Sequence, residues 1–374
     1  MKKIMVIFGT RPEAIKLAPV IKEIEKNCNN LTNFVCVTAQ HRDMLDQVLK
    51  IFEIVPDCDL NLMNPNQQLI DFSSKAIKNI GHLIKKENPD FVLVQGDTTT
   101  AFVASLAAFY HKIPIGHIEA GLRTNDKFNP FPEEINRRLI SAVADLHFTP
   151  TQSSRENLLR ENIPDSQIYV TGNSVIDALF WILKKNIELT APCFEKIDFN
   201  KRIILVTVHR RESFGQYIEE ICQGLVKLVK MRDGIEIVYP VHPNPNILQP
   251  VKKLVGEIPN IHLIPPLDYA VFISLMNKSH IILSDSGGIQ EEAPSLGKPV
   301  LVLREVTERP EAVAAGTVKI IGRTSEKIVH EVCCLIDDQK EYNKMARAMN
   351  PYGDGRASQR IIQHIIDFND SLGV

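Results

Sequence analysis

Several common functional signatures are missing from this sequence of 374 residues. No G-x-G-x-x-G follows the first predicted strand, and no acidic residue is placed to hold a nicotinamide ribose, which argues against a dinucleotide site. No Walker lysine motif and no serine nucleophile elbow occurs. The seven cysteines are scattered without a CxxC pair. They indicate reduced thiols in a cytoplasmic protein, and no metal or cofactor is expected.

Charge of one sign and long apolar runs are also missing. Lys plus Arg is 43 and Asp plus Glu is 45, giving a net charge of -2. This balance does not favour nucleic acid or anionic membrane as a partner. No apolar stretch approaches the length of a membrane span. The apolar run at the N-terminus reaches Gly9 too soon for a signal peptide.

The length and the order of predicted elements favour two α/β domains with parallel, doubly wound sheets. Short apolar runs that end at glycine or polar residues alternate with amphipathic segments. The first half has predicted strands at 3–8, 33–38, 91–95, 114–118 and 146–150, with one more at 168–173. The pattern restarts at 203–208, 235–239, 261–264, 281–283 and 299–303. The predicted domains are 1–182 and 201–352, with a linker at 183–200 and a C-terminal helix within 353–374 that packs back on the first domain.

One stretch, residues 284–292, predicts an anion site. It follows the buried strand 281–283 and has the sequence Ser-Asp-Ser-Gly-Gly-Ile-Gln-Glu-Glu. The first N–H groups of the following helix have no partners within it, and Gly287 and Gly288 let a phosphate approach the backbone. Glu292, one turn later, can accept two hydrogen bonds from a vicinal diol. The alternative is a glycine-rich turn whose acidic residues stabilise the helix dipole.

Other predicted strand ends are unusually polar, and ligands bind at this edge of open α/β sheets. Each residue also has a structural alternative: Asp97 as a helix cap, Glu119 as a partner of Arg123, and His209 as a hydrogen-bonded histidine. Two cations near the start of the first helix oppose its dipole unless an anion binds there. The strand-end residues are Arg11, Lys16, Asp97, Glu119, His209 and His242.

A further acidic pair, Glu133 and Glu134, is predicted to begin a helix, where carboxylates are favourable. The structural alternative is a stabilised helix start. In the functional alternative, Glu133 adds a third carboxylate to the site.

Taken together, the motifs resemble those of the non-hydrolysing UDP-N-acetylglucosamine 2-epimerases, in the family's order and over nearly the whole chain. The resemblance implies two Rossmann-like domains facing a cleft, in the glycosyltransferase-B type architecture. It also implies a homodimer that interconverts UDP-GlcNAc and UDP-ManNAc for surface polysaccharide synthesis. The motifs are Gly9-Thr10-Arg11-Pro12-Glu13, Gln95-Gly96-Asp97-Thr98, His117-Ile118-Glu119-Ala120-Gly121-Leu122-Arg123, His209-Arg210-Arg211-Glu212, Ser284 to Glu292, and Thr307-Glu308-Arg309-Pro310-Glu311.

The resemblance also implies roles for particular residues. Catalysis is assigned to Asp97, Glu119, Glu133 and His209, and the two positions near the base are Leu267, where some members have glutamine, and Phe272. The other implied substrate-binding residues are Arg11, Lys16, Ser286, Gly287, Gly288, Glu292 and Arg309, together with Asp97, Glu119 and His209. Some bacterial members bind a second UDP-GlcNAc as an activator, and the matching residues are Gln40, His41, Arg42, Arg210 and His242. Asn66 stands where some members carry arginine.

The chemistry is compatible with this list. The C2 hydrogen of the sugar is not α to a carbonyl and is therefore not acidic. Oxidation of a neighbouring carbon by NAD would make it acidic, but the dinucleotide fingerprint is missing. The other route expels UDP to give a 2-acetamidoglucal, then re-adds UDP with the proton returned to the opposite face of C2. This route needs a stabilised leaving group and carboxylates that move the C2 proton. The alternatives are a 2-epimerase for another UDP-amino sugar, a hydrolysing epimerase that releases ManNAc, a glycosyltransferase, and a non-enzymatic UDP-sugar sensor. A sensor has little need for three carboxylates beside a leaving group.

Overall fold

The computed structural model describes residues 1–38, 42–63, 67–210 and 215–368, and at residues 42–44 the backbone alone. Its contacts divide the chain into two compact units, Met1–Trp181 with Tyr352–Val374, and Ile182–Pro351. Each unit is described by itself below.

The first unit alternates strands and helices along the chain. Its strands are β1 (Lys2–Phe8), β2 (Leu31–Val37), β3 (Cys58–Asp59), β4 (Phe91–Gln95), β5 (Ile115–Ile118), β6 (Leu146–Thr149) and β7 (Ile168–Val170). Its helices are α1 (Arg11–Lys26), α2 (Arg42–Ile51), α3 (Leu69–Glu87), α4 (Thr99–Tyr110), α5 (Glu133–Val143), α6 (Gln152–Arg160) and α7 (Ser174–Lys184), and the division between the units falls near the end of α7.

The strands form one parallel sheet in the order β3-β2-β1-β4-β5-β6-β7. Residues 4–8 of the central strand β1 are all 0% exposed. Such an unbroken apolar run is typical of a strand that is covered on both faces of a parallel sheet. The order reverses at β1, and strand ends next to such a reversal are the usual ligand-binding edge of this kind of sheet.

The two helices that follow β1 and β4 each begin at a threonine N-cap. Thr10 is the N-cap of α1, and the Glu13 carboxylate accepts the Thr10 N–H at 2.8 Å, which is one half of a capping box. Thr98 is the N-cap of α4, where its hydroxyl accepts the Ala101 N–H at 3.1 Å. These caps fix the turns that carry Arg11 and Asp97.

The second unit repeats the alternation with a second parallel sheet. Its strands are β8 (Arg202–Thr207), β9 (Ile235–Pro240), β10 (Ile261–Ile264), β11 (Ile281–Ser284), β12 (Val300–Val302) and β13 (Val318–Ile320). Its helices are α8 (Gln216–Met231), α9 (Pro245–Val255), α10 (Tyr269–Lys278), α11 (Gly287–Glu292), α12 (Pro310–Ala314), α13 (Ser325–Asp337) and α14 (Gln339–Ala346). The strand order is β10-β9-β8-β11-β12-β13, so this sheet reverses at β8.

The last helix, α15 (Ala357–Asp367), belongs to the first unit and packs against α1. The Asp177 carboxylate accepts the N–H groups of Ala357 at 3.1 Å and Ser358 at 2.8 Å, and so satisfies the start of α15. At its other end, the Lys2 ammonium donates to the Ile365 carbonyl at 3.1 Å.

Two parallel sheets with alternating helices confirm the predicted α/β class. Among the described helices, none has the length and apolar character needed to cross a membrane.

Candidate active site

The residue that follows β5, Glu119, lies at the centre of a polar cluster in the first unit. Its carboxylate accepts hydrogen bonds from Lys16 Nζ and from Asn173 Nδ2, the latter at 3.0 Å, and also from the Gln95 amide. Glu119 has a φ of 63°, and left-handed backbone is uncommon for a residue other than glycine. Such strained conformations concentrate at functional sites, and here the carboxylate reaches Gln95 at the end of β4 and Lys16 in α1.

Lys16 is therefore balanced by a carboxylate of the protein itself. The sequence favoured an external anion as the group that offsets the Lys16 charge, but the Lys16 side chain is 16% exposed and paired with Glu119. The suggested alternative of a Glu119–Arg123 pair is wrong, because the Arg123 guanidinium binds Glu161 with distances of 2.8 and 2.7 Å.

Asp97 lies in the turn between β4 and α4, and its carboxylate pairs with Arg137 Nη2 on α5. It is not the helix cap, since Thr98 takes that role. Burial raises the pKa of the Asp97 carboxyl, Arg137 and Lys16 oppose this, and the charge of Glu119 adds to it. A carboxyl with a raised pKa accepts a proton more readily, which suits an acid–base residue.

A buried histidine forms a hydrogen bond to the turn that carries Asp97. His117 on β5 is 0% exposed, and its Nε2 lies 2.7 Å from the Gly96 carbonyl oxygen. Burial lowers the pKa of His117 to about 3, so the ring is neutral and its Nε2–H donates to that carbonyl. Gly96 has a φ of 72°, which glycine adopts without strain.

Glu133 is the first residue of α5, as predicted, and it is half-buried. Within the described part of the chain it makes no hydrogen bond to Asp97 or Glu119. Its neighbour Glu134 is 0% exposed and accepts the N–H groups of Thr124 at 3.0 Å and Asn125 at 3.2 Å. The structural alternative for this acidic pair therefore applies to Glu134, while the proposed catalytic part of Glu133 stays a prediction.

Glu13 links two turns of this cluster, a role that the sequence pattern did not indicate. One oxygen of its carboxylate accepts Gly9 N–H at 3.1 Å, and the other accepts the Thr98 hydroxyl at 2.6 Å. Burial raises the pKa of Glu13, and these hydrogen bonds oppose that effect. Arg11, which is exposed at the start of α1, and Asp97 therefore sit on turns that share one buried acceptor.

In the second unit, Asp285 joins the ends of β8 and β11. It is 0% exposed and accepts the backbone N–H groups of His209 at 3.0 Å and Arg210 at 2.9 Å. His209 Nδ1 lies 3.1 Å from the same carboxylate. Burial acts to raise the pKa of Asp285, but these hydrogen bonds outweigh it and hold the pKa below its ordinary value. The His209 ring is thus oriented by an ionised carboxylate.

The predicted anion turn lies directly after Asp285. A Cβ placed on Gly287 would lie 3.8 Å from Arg210 Nη2 and 3.8 Å from Arg309 Cζ, so two guanidinium groups flank the turn. Arg309 is held through its Nε by the Glu291 carboxylate. A Cβ on Gly288 would meet nothing within 4 Å.

The acidic residue after this turn, Glu292, is 7% exposed and accepts a hydrogen bond from the Tyr269 hydroxyl at 2.7 Å. Tyr269 begins α10, three residues before Phe272, and Leu267 precedes that helix. The predicted diol ligand and the two predicted base-side residues are therefore on neighbouring segments. The sequence did not single out Tyr269.

The residues predicted for an activator are only partly described. Gln40 and His41 lie outside the described residues, as does the side chain of Arg42. The rings of His209 and His242 are 6.3 Å apart between centroids, and Arg210 Nη1 lies 3.1 Å from Glu308 Oε1.

A protein-family model for UDP-N-acetylglucosamine 2-epimerase matches residues 22–366. The UDP-N-acetylglucosamine 2-epimerases of Salmonella typhimurium and Escherichia coli (strain K12) are each 54% identical to the chain, over 99% of it and 100% of the relative. A crystal structure of UDP-GlcNAc 2-epimerase from Neisseria meningitidis bound to UDP-GlcNAc is 52% identical, covers 98% of this chain and 100% of that chain, and has a TM-score of 0.88. The fold is accordingly of the glycosyltransferase-B type, as predicted. The chain belongs to the UDP-N-acetylglucosamine 2-epimerase family.

Proposed function

We propose that this protein converts UDP-N-acetylglucosamine reversibly into UDP-N-acetylmannosamine without releasing the free sugar. The observation that carries the proposal is the glycine turn after Asp285, flanked by Arg210 and Arg309. Two guanidinium groups beside open backbone fit a diphosphate, because arginine binds phosphate oxygens through several N–H groups at once. The relatives named above act on the same substrate by their names.

Gly288 adds independent support for a ligand at this turn. Its Cβ position is empty and its φ is not in the left-handed region, so neither packing nor backbone conformation requires glycine there. A ligand that approaches the backbone is the remaining physical reason for a residue without a side chain. The diphosphate is proposed to bind Ser286, Gly287 and Gly288, and the ribose is proposed to bind Glu292. The uracil base is proposed to lie near Leu267 and Phe272. The remaining substrate groups are proposed to contact Arg11, Lys16, His209 and Arg309.

The proposed reaction begins with the loss of UDP. The bond between C1 and the phosphate oxygen breaks, its electron pair leaves with UDP, and a carboxylate takes the C2 proton, which gives the 2-acetamidoglucal. A proton is then delivered to C2 on the opposite face while a UDP oxygen re-forms the bond at C1. Asp97, Glu119 and Glu133 are proposed to share this proton transfer, and the raised pKa of Asp97 supports that part.

His209 is proposed to assist the departing phosphate as an acid or hydrogen-bond donor. Its Nδ1 faces Asp285 at 3.1 Å, and an imidazole bound to a carboxylate at one nitrogen presents the other nitrogen in a fixed direction. The guanidinium groups stabilise the charge that develops on the leaving diphosphate.

The test is incubation with UDP-GlcNAc in D₂O, followed by NMR. Formation of UDP-ManNAc with deuterium at C2 is expected. Free ManNAc would instead indicate the hydrolysing type, and absence of C2 exchange under any activating condition would refute the proposal. Asp97→Asn should lower turnover by about 100-fold or more while UDP still binds, since acid–base residues contribute about 10²–10⁴-fold. Wild-type turnover in this variant would remove Asp97 from the mechanism.

Further parts of the proposal concern the cellular and structural setting. We propose a homodimer, which the resemblance to the family implies. A role in surface polysaccharide synthesis in the cytoplasm is proposed, the latter because the cysteines are free thiols. The domains are proposed to be residues 1–182 and 201–352, joined by a linker at 183–200. An activator site at Arg210 and His242, with Gln40, His41 and Arg42, completes the proposal.

A further inference from the structure

A single guanidinium, that of Arg137 on α5, contacts two carboxylates of different kinds. Its Nη2 pairs with Asp97, and its Nη1 lies 3.4 Å from Glu134. The Arg137 side chain is 11% exposed, so solvent screens these contacts only weakly. Asp97 is the more exposed of the two carboxylates, with 28% of its side chain accessible compared with 0% for Glu134.

The buried carboxylate is held firmly by its own partners. Glu134 accepts the backbone N–H groups of Thr124 and Asn125 and the Nε–H of Arg138 at 3.1 Å. Burial acts to raise the pKa of Glu134, but these hydrogen bonds and Arg137 hold it below its ordinary value. Glu134 is therefore ionised and fixed, and it anchors Arg137.

The same helix also holds the backbone of Asp97. Asn136 Nδ2 donates to the Asp97 carbonyl oxygen at 2.9 Å. Consecutive residues of α5 thus fix the main chain and the side chain of Asp97. A planar guanidinium holds a carboxylate in one orientation because its N–H groups point in fixed directions. An ammonium group has no such fixed plane of donors.

We propose that Arg137 is a positioning residue for the reaction, which holds the Asp97 carboxylate in its working orientation and ionised, with Glu134 as the fixed anchor. This inference rests on the proposed function, in which Asp97 takes part in proton transfer at C2.

The charges that face Asp97 predict the effect of removing Arg137. They are Arg137 from α5, Lys16 from α1 and Glu119 from the end of β5. Arg137 is the strongest of the groups that oppose burial and the negative charge of Glu119, so the pKa of Asp97 rises further without it. Because proton abstraction needs the ionised carboxylate, the acidic limb of the pH profile moves to higher pH.

The matched pair of variants is Arg137→Met and Arg138→Met. Arg138 also binds Glu134, and it donates to Asn125 Oδ1 at 3.0 Å, but in the described structure it makes no contact with Asp97. Each variant removes one cation from α5 and one bond from Glu134. Only the first removes the partner of Asp97. Arg137→Lys keeps the charge without the fork and serves as the folded reference if Arg137→Met is unstable.

The experiment follows C2 deuterium exchange and epimer formation between pH 5 and 9. For Arg137→Met, we expect kcat to fall about 100-fold with KM changed by less than about threefold, and the acidic limb to move up by about one pH unit. For Arg138→Met, both quantities should stay within about threefold of wild type. Arg137→Lys should return the acidic limb to the wild-type position while kcat stays about tenfold low.

Equal kinetics and equal pH profiles for the two methionine variants would overturn the role of Arg137. A raised KM with an unchanged kcat in Arg137→Met would overturn it as well. Circular dichroism at each pH shows whether a variant is folded, and the lysine variant decides the matter if the methionine variant is not. Failure of the wild type itself to exchange C2 hydrogen would count against the proposed function. Normal wild-type exchange with indistinguishable variants would count against Arg137 only.

Discussion

The hydrogen bond between Tyr269 and Glu292 makes a prediction about nucleotide recognition. The Tyr269 hydroxyl donates to Glu292 Oε1 at 2.7 Å, and burial beside this carboxylate raises the pKa of the tyrosine well above 10. Tyr269 is therefore a permanent donor that fixes one rotamer of Glu292. If Glu292 binds the ribose diol, Tyr269→Phe should weaken UDP binding through the loss of this orientation.

Tyr269→Phe should change both the affinity for UDP and the stability of the protein. Ordering one flexible side chain at binding costs about 0.5–1.5 kcal/mol, which the tyrosine spares the wild type. This is about a two- to tenfold change in Kd for UDP. The protein itself should lose about 1–3 kcal/mol of unfolding free energy, because Glu292 is 7% exposed and loses a donor.

Calorimetric titration with UDP and with 2′-deoxy-UDP separates recognition from general loosening. The wild type should prefer UDP, and this preference should shrink in Tyr269→Phe because the hydroxyl missing from 2′-deoxy-UDP is one that Glu292 is proposed to bind. The matched control is Tyr342→Phe, which removes a hydroxyl that donates to the His280 carbonyl at 3.1 Å in the same unit. An unchanged UDP preference in Tyr269→Phe, or an equal change in the control, would refute the assignment of Glu292.

Two more changes test the second unit. Gly288→Ala should leave the free energy of unfolding within about 0.5 kcal/mol of the wild-type value, since the added Cβ meets nothing within 4 Å. It should nevertheless weaken UDP binding at least about tenfold. Thermal denaturation and calorimetry measure the two effects, and retained affinity would place the diphosphate elsewhere. Asp285→Asn should lower the free energy of unfolding by about 1–3 kcal/mol at pH 7. Because the pKa of Asp285 is depressed in the folded state, its contribution is present above its ordinary pKa of about 3.9 and lost as pH falls through the folded value. Urea denaturation of the two proteins should therefore converge at low pH, and a constant difference would contradict the ionised role of Asp285.

The sheet frame was predictable because buried parallel strands are short apolar runs that end at turn residues. Residues 4–8, 91–95 and 281–283 have this form, and β1, β4 and β11 contain them. The two-residue strand β3 was not predicted, because two positions carry no periodicity. Helix α6 was missed for another reason: its residues are mostly polar, and only Ser154 and Leu158 are buried.

Partners of the charged residues were harder to predict than their positions. Lys16 and Glu119 are 103 positions apart, and Asp97 and Arg137 are 40 apart. The positions of these residues near predicted strand ends indicated that they lie at the same edge of a sheet. Which cation pairs with which carboxylate also depends on the backbone conformation. The left-handed φ of 63° at Glu119 is set by its surroundings and not by the residue type. One signal did exist for Arg137: it lies one helical turn after Glu133, on the predicted polar start of α5.

The arginines of the glycine turn are paired with carboxylates, and this pairing bears on how a diphosphate would bind. Glu291, 3% exposed, takes the Nε edge of Arg309, while Nη2 of the same guanidinium is the end that lies 3.8 Å from the Gly287 Cβ position. Arg210 likewise places Nη1 on Glu308 and Nη2 towards Gly287. Since a guanidinium carries five N–H donors in a rigid plane, a carboxylate on one edge fixes where the other edge points. The carboxylates therefore orient the guanidinium edges that are proposed to bind phosphate, and this orientation before binding would reduce the cost of ordering long side chains.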